Sequence, residues 1–426
     1  MMKHHKYKWL IIFCLVFSGE MIFSLPFHIA RFFRPTVLEV FGLSNAELGD
    51  VFAIYGLIAM LAYFPGGAIA DHFSARKLMA TSLVATAIGG FYLAQIPGGL
   101  GLAVLFGYWG MTSILFFWAA MIKATREWGG SHKQGRAFGI LDGGRGLVAA
   151  GTASIAVWLL STILPADLSA LTQLQRQHAI QSVIYFYIFM TLFAALLVWW
   201  ILPESRNTDS AARMRVFVDI KSVLKQRVVW LQAIIIICAY SGYKGLDNYA
   251  LYARDVLGMN EVESAQFTSI AAYLRPIAAI TTGVIVDRFS ASRVIMIMFL
   301  VLMASYGVLS FTLPSTYGID LIYATILVTF VAVYGIRGVY FALIEETKIA
   351  SHITGTAVGL VSVIGFTPDI FFASIAGRIL DASPGAAGHQ HFFLMMTLFS
   401  IMGMLATLML VRFKSISYGA KSMGSD

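Results

Sequence analysis

Residues 67–77 read GAIADHFSARK, and residues 283–293 read GVIVDRFSASR. The two stretches lie 216 residues apart and agree at six of eleven positions. The agreement covers Gly67/Gly283, Asp71/Asp287, a shared Phe-Ser, and a basic end in which Arg76 and Lys77 answer to Arg293. Two unrelated apolar runs would not share that set of small, acidic and basic residues. At the same shift Gly42 falls on Gly258, Glu47 on Glu263 and His28 on Lys244. A chain that repeats itself near half its length is built as two similar halves, an organisation common among secondary transporters.

The composition around these stretches is that of a membrane protein. Of the 426 residues, 58% are apolar and 12% are charged. A soluble domain carries about 25% charged residues. That shortfall excludes a cytosolic enzyme, a disordered scaffold and a nucleic-acid binder. The net charge of +8 comes from short basic runs between long apolar stretches, not from one basic face. Apolar runs long enough to cross hydrocarbon fall near 8–33, 46–70, 76–95, 101–124, 137–162, 179–202, 228–252, 264–286, 293–313, 317–344, 355–377 and 391–412. With the first segment placed inside, 21 of the 30 basic residues fall in inside segments and five fall outside (Arg31, Arg34, Arg176, Arg254 and Arg378). The positive-inside rule therefore predicts that both termini are cytoplasmic. The polar stretch 203–227 reads as a cytoplasmic linker. It separates a first six-helix bundle, 1–202, from a second, 228–426. Cys14 and Cys238 sit inside apolar runs and form no disulfide framework or metal spacing.

The repeated G-x-x-x-D loop between spans two and three, echoed between spans eight and nine, resembles the signature loop of the major facilitator superfamily. The resemblance extends over the whole chain: twelve spans, a central cytoplasmic linker and the loop in both halves. It implies an all-α membrane protein of twelve transmembrane helices in two pseudo-symmetric bundles. Compact loops and short tails resemble the bacterial members, which implies the bacterial inner membrane. The loop departs from the usual pattern at His72 and Ser74. Span five, GILDGGRGLVAAG over 139–151, lacks the Pro-Gly pattern of drug/proton antiporters.

The loop residues read as a cytoplasmic gate. Gly67 and Gly283 would let helices approach closely, while Asp71 and Asp287 would pair with Arg76, Lys77, Arg288 or Arg293, or with a facing helix N-terminus. The alternative is a plain surface ion pair, worth at most ~1 kcal/mol.

Charges within the spans are costly in hydrocarbon and mark cavities or mutual pairs. They are Glu20, His28, Asp142, Arg145, Lys244, Asp247, Arg275, Arg337 and Asp369. Asp142 with Arg145, and Lys244 with Asp247, are three apart and can neutralise each other on one helix face. Glu20, Arg275, Arg337 and Asp369 are expected to find partners only on other helices or on a solute. Arg275 precedes Pro276, and Arg337 sits in Tyr334-Gly-Ile-Arg337-Gly-Val-Tyr340, where backbone is loosened. Arginine offers a charged planar fork for carboxylate or phosphate. Tyr55, Trp118, Tyr243, Tyr273 and Tyr340 are candidate cavity aromatics, with plain packing as the rival reading.

No nucleotide-binding loop, metal spacing or nucleophile elbow occurs, so no cofactor, no metal and no enzymatic activity are expected. The function implied is secondary transport of a small polar, anionic organic solute by alternating access, with proton-coupled symport. Proton-coupled efflux of a metabolite or amphipathic compound is the alternative, and a transporter-like membrane sensor the third reading. The expected partners are that solute, protons and the lipid bilayer. The chain is expected to act as a monomer.

Overall fold

A helix satisfies its own backbone hydrogen bonds, which is why apolar spans with no water to bond must be helical. The computed structural model describes residues 2–130, 134–165, 171–204, 224–314, 318–346 and 359–422, and no strand occurs among them. Most of the linker, 205–223, lies outside the described residues.

Eleven described helices are long and apolar enough to cross a membrane. In chain order the helices are α1 Tyr7–Phe32, α2 Asn45–His72, α3 Ala75–Leu93, α4 Gly99–Gly129, α5 Ala137–Ile163, α6 Gln173–Ile201, α7 Arg227–Asp255, α8 Glu261–Arg288, α9 Ala291–Phe311, α10 Ile319–Val339, α11 Gly359–Ala382 and α12 Ala386–Phe413. The one not among the eleven is α3. It has only 19 residues and opens with the charged pair Arg76-Lys77, so its apolar length is shorter than the expected third span. Phe64, Trp158, Trp200 and Phe311 lie exposed on these helices, which suits hydrocarbon rather than water. Hydroxyls inside the spans bond back to the carbonyl one turn earlier, as Ser18 does to Cys14 at 2.6 Å and Thr191 to Tyr187 at 2.8 Å.

The 216-residue repeat is visible as local geometry. Gly42 and Gly258 both take left-handed φ, 60° and 70°, where glycine is tolerated best. Each is followed by a capping box: Ser44 with Glu47 at the start of α2, and Asn260 with Glu263 at the start of α8. Glu47 and Glu263 recur because each closes its helix N-terminus. The repeated Phe-Ser is a two-residue turn, with Ser74 and Ser290 extended before α3 and α9.

Four helices are irregular where chemistry-bearing residues sit. In α1 a π segment, Ser24–His28, contains Pro26. In α4 another spans Thr112–Trp118. A 3-10 turn, Leu246–Asn248, follows Lys244 in α7. Pro276 has no N–H for the carbonyl of Ala272, and α8 accordingly breaks at Tyr273, between Glu261–Ala272 and Leu274–Arg288.

Contacts divide the chain into two compact units. The first comprises Met1–Thr208, Asp247–Pro276 and Asp369–Ala386. The second comprises Asp209–Leu246, Ile277–Pro368 and Ala387–Asp426. The first cut, between 208 and 209, falls within the 203–227 linker, and parts of α7, α8 and α11 are also bound into the first unit. The core of that unit is apolar along its length, from Leu15, Met79 and Phe117 to Phe33, Trp109 and Tyr187.

Candidate functional site

Within the first unit, α1, α5 and α8 bring five of the anticipated charged residues together. Glu20 is the hub, 2% exposed. Its Oε1 accepts from His28 Nε2 at 3.0 Å and its Oε2 from Arg145 Nε at 2.9 Å. Arg275 approaches the same carboxylate at 3.8 Å and donates to Asp142 at 2.8 Å. Two expectations are corrected. Glu20 does have a partner on its own span, because the π segment turns His28 back toward it. Asp142 and Arg145 share a face, but each reaches a different helix, α8 and α1. The rings of Phe23 and Trp118 lie 5.4 and 5.8 Å from the Arg145 guanidinium, which places Trp118 at the cluster. Gly146 leaves the space that the Arg275 side chain fills.

A second set of charges lies toward the end of α1 remote from the N-terminus and ties neighbouring helices together. Arg31 donates to Asp247 at 2.5 Å, which gives Asp247 a partner on α1. Arg176 pairs with Glu261 at 2.6 Å and with Glu39 at 3.0 Å, and Arg254 also pairs with Glu39. Arg378 holds Asp50 at 2.7 Å, where Ser374 also donates. Asp381 accepts from the backbone N–H groups of Asn45 and Ala46 at 3.1 and 2.7 Å, capping α2 from α11. Arg34 lies buried beside Asn45, and burial pushes its guanidinium down to about 10, still charged at neutral pH. The same two helices touch through glycine. A Cβ at Gly49, Gly56 or Gly377 would collide with the backbone of Ala373, Asp369 or Asn45. Asp369 thus meets α2 through its backbone. Sequence reasoning counted Arg31, Arg34, Arg176, Arg254 and Arg378 only as outside charges and missed that they pair. The signal for one of them was present, since Arg31 and Asp247 are 216 residues apart.

Within the second unit, α7 and α10 place Arg337 at stacking distance from Tyr243, 3.6 Å to the ring centroid. Tyr240 lies 5.9 Å from the same guanidinium and packs edge-on against Phe366. Lys244, next along α7, is buried at 4%.

The loop residues of the expected gate lie at helix ends. Arg76 and Lys77 both pair with Glu204, just past α6, at 2.8 and 2.7 Å. Gly67 and Gly283 face open space and support no close approach; Gly66 instead packs on α4 at Leu115. Asp71, Asp287, Arg288 and Arg293 are exposed at helix ends. Of the other aromatics, Tyr55 is a packing residue whose hydroxyl bonds Ser113 at 2.7 Å. Tyr273 reaches Ser154 at 3.2 Å, and Tyr340 is buried against Phe341.

Residues 9–366 match the Major Facilitator Superfamily. The chain belongs to that family. It is an all-α integral membrane protein with the major facilitator fold, a membrane transporter and not an enzyme. Among its relatives are two inner membrane proteins of Escherichia coli. The protein YihN is 28% identical over 433 residues, covering 98% of each chain. The protein YqcE is 27% identical over 403 residues, covering 92% of each. Among solved structures, a mutant form of the nucleoside transporter NupG superposes with a TM-score of 0.73 over 95% of this chain and 99% of that one. Identity there is 13%, so the likeness concerns the fold.

Proposed function

We propose that this transporter moves a small anionic organic solute across the bacterial inner membrane by alternating access, coupled to protons in symport. The observation that carries the anion reading is the stack of Arg337 on Tyr243. Stacking occupies the face of a guanidinium and holds its plane still, while the N–H groups lie around the edge. That edge matches the two oxygens of a carboxylate or phosphate. Lys244, one residue from Tyr243, adds a second buried cation to the same helix pair. The halves 1–202 and 228–426, joined by 203–227, would tilt against each other with both termini cytoplasmic, each monomer holding one pathway. Ties such as Arg31–Asp247 and Asp50–Arg378 would then break and re-form in each cycle.

The test is a thermal-shift screen of purified protein against sugar acids, organic phosphates, amino acids, sugars and nucleosides. A solute that binds the folded state raises its apparent stability. An acid or phosphate should raise it, and Arg337→Ala should abolish the rise. A response confined to neutral solutes, or an undiminished response in Arg337→Ala, rejects the anion reading. Uptake of the hit into proteoliposomes with and without an inward proton gradient tests coupling, and equal rates reject symport. Reversing the gradient separates uptake from efflux.

A further inference from the structure

We propose that His28 is the proton-binding site of this transporter, and that its protonation replaces Arg275 at Glu20 when the two separate. The inference rests on the transport reading and names the site of coupling within it.

Three observations converge on His28. The first is its hydrogen bonding. Nε2 faces Glu20 Oε1 at 3.0 Å. The carboxylate takes Arg145 on its other oxygen at 2.9 Å, so Nε2 carries the hydrogen and donates. Nδ1 is buried, with no hydrogen-bond partner among the described residues. A neutral imidazole bonded in this way keeps a lone pair on Nδ1. A buried polar atom left unsatisfied in a native fold calls for an explanation, and a group poised to take a proton is one.

The second observation is charge balance. The charged groups facing His28 are Glu20 and Arg31 on its own span, Arg145 on α5 and Arg275 on α8; Tyr187 on α6 packs edge-on against its ring. With their partners Asp142 and Asp247, and with Arg34 and Asp381 beyond Asp247, four guanidinium groups meet four carboxylates. A neutral His28 completes that balance. Arg275 stands directly after the break in α8 and bridges the buried Glu20 to Asp142, whose side chain is 37% exposed. Movement of α8 that carries Arg275 away leaves Glu20, and Asp142 on α5, short of one cation. His28 is already hydrogen-bonded to that carboxylate. Its Nδ1 lone pair binds a proton from water, no bond breaks, and the imidazolium supplies the missing charge.

The third observation is the repeat. His28 and Lys244 occupy equivalent positions, 216 residues apart. Both are buried, at 1% and 4%, and both adjoin irregular helix: the π segment of α1 and the 3-10 turn of α7. One half carries a lysine there, and the other a side chain that can take up and release a proton.

The test needs no solute. Ser374 lies on α11 against Asp50 of α2, so a cysteine there reports separation of these helices. Ser374→Cys is made in a Cys14→Ser, Cys238→Ser background, and its rate of maleimide labelling is measured in purified protein between about pH 5.5 and about pH 8. Each rate is divided by that of Gln95→Cys, an exposed loop position, to remove the pH dependence of the thiol. With His28 present, the ratio should rise at least roughly fivefold toward low pH. His28→Gln keeps a hydrogen-bond donor to Glu20 but cannot ionise, and should flatten the profile at its high-pH value. His28→Lys installs the cation of the other half, and should flatten it at the low-pH value. A pH response that survives in His28→Gln, or no response with His28 present, overturns the proposal. Either result leaves the Arg337 test of transport standing, so the two readings fail separately.

Discussion

Arg31 and Asp247 are separated by the repeat interval of 216 residues, and they are ion-paired to each other at 2.5 Å. The same position of each repeat, basic in one and acidic in the other, joins the end of α1 to the 3-10 turn of α7. The side chains are only 12% and 8% exposed, so the pair is drier than the surface ion pairs that contribute little. Two like charges here would repel, and opposite signs at the two equivalent positions make the contact a tie.

The pair should behave as a unit under substitution. Arg31→Asp or Asp247→Arg alone leaves like charges facing each other in a nearly dry setting. Removing one member of a buried pair costs roughly 3–5 kcal/mol, and each single variant should show a clearly lowered melting temperature in detergent. The double swap, Arg31→Asp with Asp247→Arg, should recover most of the loss. Melting the four proteins side by side checks this; a swap as unstable as the two losses added together would show that the residues do not depend on each other.

Glycines that the sequence makes look alike should respond differently. A methyl group at Gly49 or Gly56 runs into the backbone of α11, whereas at Gly67 it meets open space. Gly49→Ala and Gly56→Ala should therefore force α2 and α11 apart and speed labelling of Ser374→Cys. Gly67→Ala should leave labelling unchanged and add about 0.5–1 kcal/mol through helix propensity. Slow labelling in Gly49→Ala would mean that the two helices can separate slightly without exposing position 374.

This contrast shows where the sequence is informative and where it stops. The spans were legible because hydrocarbon demands long apolar helices, and the Gly42/Gly258 and Glu47/Glu263 matches were legible because left-handed turns and capping boxes require those residue types. Which neighbour a side chain meets was not legible. Consecutive residues point about 100° apart around a helix, so Gly66 packs on α4 while Gly67 faces out. The charged cluster was legible as a set of residues. Its pairing was not, because His28 reaches Glu20 only through the π segment, and Asp142 and Arg145 reach helices far away in sequence. Glu204 was passed over as linker although it binds both basic residues of the signature loop.

Two glutamates that each hold two cations should separate by burial. Glu20 is 3% exposed at its side chain, and its loss leaves Arg145 and Arg275 facing a carboxamide in a dry interior. Glu20→Gln should cost roughly 3–5 kcal/mol. Glu204 is 41% exposed, and water replaces it at Arg76 and Lys77. Glu204→Gln should cost no more than ~1 kcal/mol, and less still in high salt. Thermal unfolding at low and high ionic strength distinguishes them, since a buried pair is screened far less.

The stack on Tyr243 makes a last prediction about which part of the tyrosine matters. If Tyr243 acts through its ring, Tyr243→Phe keeps the face that steadies Arg337 and should bind the anionic solute found by thermal shift about as well as the native protein. Tyr243→Leu fills similar space without a quadrupole. A desolvated cation–π contact is worth about 2 kcal/mol, so titration calorimetry should show affinity falling roughly thirtyfold. If Tyr243→Phe falls as far as Tyr243→Leu, the hydroxyl and not the ring is the recognising group, and Tyr243 would contact the solute directly instead of holding Arg337 in place.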